Sequence, residues 1–145
     1  LITVGALSEA AMFFFFSKFS KRFSARTLIL VSALVSTARW IAMGFAPGVE
    51  LLFGLQLLHG ITFAMGYIGC VHFIANWTSE DIAAEAQSFF QVLQQAMSVI
   101  VILGFGVLLG PLGAKGFFVS GAFAFIGAVL IWLSLRMQQP KAAGG

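Results

Sequence analysis

Five apolar runs, each close to the length of a bilayer crossing, follow one another along this chain with short polar breaks between them. They cover residues 1–16, 28–45, 51–73, 89–109 and 117–135. A helix rises about 1.5 Å per residue, so roughly 20 apolar residues cross the hydrocarbon core. Lipid cannot bond backbone amides, so segments of this kind must satisfy them internally, as helices. Charged residues form only 9% of the chain and hydrophobic residues 60%, whereas a soluble domain carries roughly 25% charged residues. The pattern predicts an all-α membrane protein of five transmembrane helices. Residues 137–145 lack apolar periodicity and read as a disordered tail. The first run is the shortest and opens at Leu1, without an initiator Met or a basic leader. The chain is therefore expected to be a fragment that begins inside or just before a helix of something larger.

Basic residues accumulate on the cytoplasmic side of membrane proteins. The break between the first two runs holds Lys18, Lys21, Arg22 and Arg26, whereas residues 46–50 hold no Lys or Arg. Only Lys115 separates the fourth and fifth runs, and Arg136 and Lys141 follow the fifth. This places the first break and the tail in the cytoplasm and the N-terminus outside, in a cell (inner or plasma) membrane. The segment before the fourth run carries Glu80, Asp81 and Glu85. Thr78 or Ser79 is positioned to cap a helix there, with the acids near the positive end of its dipole. That capping role is favoured over metal binding.

Glu9, Arg39 and His59 are ionisable residues well inside three of the apolar runs. A charge at mid-bilayer costs about 3 kcal/mol even on lenient scales, so such groups face one another, water or a solute path. Arg39 lies about 16 Å from the start of its run, too deep to reach the surface easily. Along the third run Gln56, His59, Thr62 and Gly66 recur at helical spacing, as do Gln87, Gln91, Gln94 and Ser98 along the fourth, with Gln95 at the edge of that stripe. Two polar stripes through apolar helices imply a shared polar interior. The plainer alternative is that Gln and Ser merely bond neighbouring helices, for about 1 kcal/mol or less apiece.

This set permits transport chemistry. A carboxyl whose charged partner changes with conformation can take a proton on one side and release it on the other. Imidazole titrates near neutrality and can relay a proton or bond a solute. Glu9 is the candidate for proton coupling, Arg39 for its counter-charge or a solute anion's anchor, and His59 for relay or solute contact. Gln56, Thr62, Gln91, Gln94 and Trp40 are candidate solute contacts. Residues Phe13 to Phe16 could join Trp40 against an aromatic solute, although lipid contact is the commoner use of membrane aromatics. Gly60, Gly66 and Gly69, with Gly104, Gly106 and Gly110, are expected to let helices approach closely.

Several classes are excluded. Cys70 stands alone, so no disulfide framework or Cys-based metal site is expected. The chain shows no paired acids, His-rich set or nucleophile–base pair, so no enzyme, cofactor or metal is expected. Phosphate-binding glycine loops and basic surfaces interleaved with aromatics are lacking, which argues against an ATP-driven pump in this segment and against nucleic acid.

Residues Arg39-Trp40-Ile41-Ala42-Met43-Gly44 and Gln56-Leu57-Leu58-His59-Gly60, with Tyr67 and Phe73-Ile74, resemble the C-terminal half of the major facilitator superfamily. The likeness is to the phenylpropionate permease group and the related lactose permease. The resemblance implies that the five runs are helices eight to twelve of a 12-helix fold, whose missing N-terminal half completes the cavity. It implies that Arg39 and His59 match a proton-coupling network. The chain departs from lactose permease where Thr62 replaces that network's carboxylate and Gln56 its Lys, and Glu9 falls about one turn from the sugar-binding carboxylate, so sugar specificity does not carry over. Arg22, Phe23 and Arg26 resemble the superfamily's signature loop, with Lys21 and Ser24 in place of its usual Asp and Gly.

The expectation is a secondary transporter moving a small organic solute with protons by alternating access, an aromatic carboxylate such as a phenylpropanoate first. The alternatives are a sugar or nucleoside symporter of the same fold, or a structural or assembly membrane protein whose buried charges bond its helices.

Overall fold

The computed structural model describes residues 2–19 and 23–137, with the side chains at 2, 4, 5, 9 and 15–19 outside that description. The described residues are all-helical: α1 Ile2–Phe19, α2 Ala25–Gly44, α3 Val49–Trp77, α4 Glu80–Leu112 and α5 Gly116–Arg136. A 3-10 turn, Gly113–Lys115, joins α4 to α5. Three stretches are long and apolar enough to cross a membrane: Ala25–Gly44, Val49–Trp77 and the combined Glu80–Arg136. The combined stretch is interrupted at Gly113, whose φ of 53° lies in the left-handed region that glycine adopts without steric cost.

The helices outrun the apolar runs that predict them. α3 has 29 residues and α4 has 33, because backbone hydrogen bonding persists into polar flanks where hydropathy has already fallen. Glu80 and Asp81 occupy the first turn of α4, beside its positive pole. The expected hydroxyl cap is not formed. Ser79 stands at the N-cap without a side-chain bond, and Thr78 Oγ1 donates back to the Ile74 carbonyl at 2.8 Å. By contrast, α2 is capped by its own flank, where Ser24 Oγ accepts from Thr27 N–H at 3.1 Å. The tail of residues 138–145 lies outside the described residues.

α2 is the centre of the bundle: it packs on α3 along one side and on α5 along the other, while α1 lies against α3. The α2–α3 contact is backbone-close at glycine. A Cβ on Gly66 would stand 2.7 Å from Ser32 Oγ, and one on Gly69 would stand 2.8 Å from Ile29 Cγ1. At Gly104, Gly106 and Gly110 of α4 an added Cβ would meet nothing within 4 Å among the described residues. The expected close approach therefore occurs on α3 and not on α4. No residue of α4 is buried, so its apolar side chains suit lipid or further helices.

Candidate functional site

A cavity of about 350 Å³ opens between α2, α3 and α4. α2 contributes Ser32, Ser36, Arg39 and Trp40, one face of the helix at spacings of four, three and one. α3 supplies His59, Thr62, Phe63, Gly66, Tyr67 and Cys70, and α4 adds Phe90 and Gln94.

Arg39 is only 4% exposed. Its Nη1 donates weakly to Met43 Sδ at 3.6 Å, and its guanidinium carbon lies 4.1 Å from the centroid of the Trp40 ring. Trp40 is braced from behind by stacking on Phe117 at 5.6 Å. Nε of Arg39 is buried and has no hydrogen-bond partner among the described residues. A buried cation with an unused donor is costly unless an anion or water completes it.

His59 shares the cavity with Arg39, and its ring lies tilted against Phe63 at 6.1 Å. Two of the three ionisable residues thus come together. Glu9 lies in α1, with its side chain outside the described residues. Thr62 is buried at 2% exposure, and its hydroxyl proton is shared between the carbonyls of Leu58 and His59, both at 3.0 Å. Only its oxygen lone pairs remain for a solute. Gln56 is half-buried and outside the cavity lining. Gln91 is exposed and donates through Nε2 to the Tyr67 hydroxyl at 3.3 Å, tying α4 to α3. Gln94 faces the cavity with no side-chain hydrogen bond among the described residues.

Tyr67 is the hub of the aromatic wall. It meets Phe13 edge-on at 6.0 Å, Phe63 stacked at 6.3 Å and Phe90 tilted at 6.2 Å. Phe13 therefore reaches the site through Tyr67, while Phe14 is 81% exposed. Ser32, Ser36, Phe63 and Phe90 were not singled out by the sequence. The interval Ser32–Ser36–Arg39 was the available signal, a polar line at helical spacing on the second run. A second, apolar groove of about 720 Å³ lies between α4 and α5 and includes Phe105 and Phe123. Trp40 stands at its edge as well, dividing it from the polar cavity.

The described residues thus form an apolar helical bundle that holds a guanidinium, with no carboxylate partner among them, beside an aromatic-walled cavity. The chain belongs to the MFS_1 like family, which matches residues 1–122. It is also similar to a curated protein of Escherichia coli (strain K12), the "Probable 3-phenylpropionic acid transporter", at 27% identity over 125 residues. That match takes in 86% of this chain and 33% of the relative, so the chain spans about a third of the relative's length. No solved structure matches the chain.

Proposed function

We propose that the chain is the C-terminal part of a proton-coupled symporter for aromatic monocarboxylates. The five helices would then be transmembrane spans eight to twelve, with the first loop and the tail cytoplasmic. A preceding half of the same protein would close the other side of the cavity, because sites in this kind of fold lie between repeated halves that rock about them. The observation that carries the reading is the Arg39 guanidinium, buried without a carboxylate among the described residues, beside the rings of Phe63, Tyr67 and Phe90. A carboxylate docked on Arg39 would supply the missing acceptor in a charge-assisted, two-pronged pair. The aromatic wall would receive the ring of the solute by stacking or edge contact. Glu9 is assigned the coupling proton and His59 its relay. The relative's name points to a phenylpropanoate, in line with this chemistry.

The test is uptake of 3-phenylpropanoate by vesicles holding the full-length protein, with and without an inward proton gradient. Accumulation above equilibrium with the gradient is expected. Failure to carry any aryl acid overturns the proposal.

A further inference from the structure

The cavity has two chemically different ends. Ser32 Oγ donates to the Thr62 carbonyl at 2.6 Å and fixes how α2 lies against the antiparallel α3. Climbing α2 from Ser32 to Arg39 therefore descends α3 to about the level of His59. The Gln91–Tyr67 bond and the Phe90–Tyr67 contact fix α4 against α3 in the same way. One turn further along α4, the backbone of Gln94 comes level with that of Phe63, about one helical turn from the level of Arg39. At that level the hydroxyl protons of Ser32 and Thr62 are given to carbonyls, and the Tyr67 oxygen accepts from Gln91 while its own O–H stays available. The Gln94 amide is uncommitted among the described residues and faces the cavity.

Resting on the aryl-acid reading above, we infer that this site selects acids hydroxylated on the ring, and that Gln94 is the residue that reads the hydroxyl. With the carboxylate on Arg39, the ring would lie in the aromatic wall of Phe63, Tyr67 and Phe90, with its far end toward Gln94. A primary amide offers both donor and acceptor, so its oxygen can accept a hydrogen bond from the phenolic O–H or its N–H can donate one to the phenolic oxygen. A bare phenyl ring displaces water from the amide and bonds nothing in return, and sites built around such a bond discriminate against the analogue that lacks it.

The experiment is competition for uptake in vesicles carrying the full-length protein. Labelled 3-phenylpropanoate is challenged with its own unlabelled form or with 3-(4-hydroxyphenyl)propanoate. The hydroxylated acid is expected to compete at about ten-fold lower concentration. Gln94→Leu is expected to bring the ratio of the two acids close to one, and Gln94→Asn to restore part of the preference. An unsubstituted protein with no preference for the hydroxylated acid overturns the inference while leaving the aryl-acid reading intact. A preference that survives in inserted Gln94→Leu protein also overturns it. If Gln94→Leu fails to insert, the ratio in the unsubstituted protein and in Gln94→Asn decides. Uptake of neither acid removes the underlying reading, and this inference with it.

Discussion

Ser32 Oγ and the carbonyl oxygen of Thr62 are 2.6 Å apart, a short hydrogen bond that pins α2 to α3 on the wall of the cavity. The bond fits there because Gly66 has no side chain; a Cβ at that position would stand 2.7 Å from the same oxygen. Helix packing and the site therefore share atoms, and disturbing the first disturbs the second.

Gly66→Ala is expected to lower stability by about 1–3 kcal/mol, through overpacking and loss of the Ser32 bond. Thermal unfolding of the full-length protein in detergent reads this. Removing the hydroxyl as well should recover part of the loss, since the remaining contact to Ser32 Cβ is an ordinary 3.6 Å. The Ser32→Ala/Gly66→Ala protein should thus melt above Gly66→Ala alone. A Gly66→Ala protein as stable as its parent would show that the helices do not approach this closely.

Substitutions at Arg39 should separate charge from shape. Arg39→Lys keeps the cation and loses the planar fork, so KM for 3-phenylpropanoate is expected to rise about ten-fold. Arg39→Gln should abolish accumulation while the protein still reaches the membrane, as judged by surface labelling. Undiminished uptake in Arg39→Gln would remove this residue from solute binding.

Tyr67 has two separable contributions. Tyr67→Phe loses one exposed hydrogen bond to Gln91 and should cost about 0.6 kcal/mol. Tyr67→Ala also removes the rings' common partner, with an expected loss of about 3 kcal/mol and a marked fall in uptake. Equal effects from the two changes would mean that the ring contacts contribute little.

Coupling is tested at Glu9. Glu9→Gln should leave exchange of labelled for unlabelled acid in place while ending accumulation driven by a proton gradient, because the amide cannot carry the proton. Gradient-driven accumulation at the parent rate would exclude the residue from coupling.

The apolar runs determined that the chain is helical and belongs in a membrane, because hydropathy over a bilayer's thickness and the need to satisfy every amide are both local requirements. The positions of Arg39 and His59 along their helices were legible for the same reason: position along a helix is arithmetic on residue number. Which face meets which neighbour is not. Thr62 and Gln56 lie on one stripe of α3, yet Thr62 is buried with its proton given to its own helix, and Gln56 falls outside the cavity. Gln91 and Gln94 are three residues apart on α4, yet one is bound to Tyr67 and the other opens into the cavity. Rotation and register between helices are decided by contacts such as Gly66 beneath Ser32, which join residues over thirty apart in the chain. No periodicity within one helix encodes them, so only the tertiary structure could bring a guanidinium, an imidazole and an amide around the same rings.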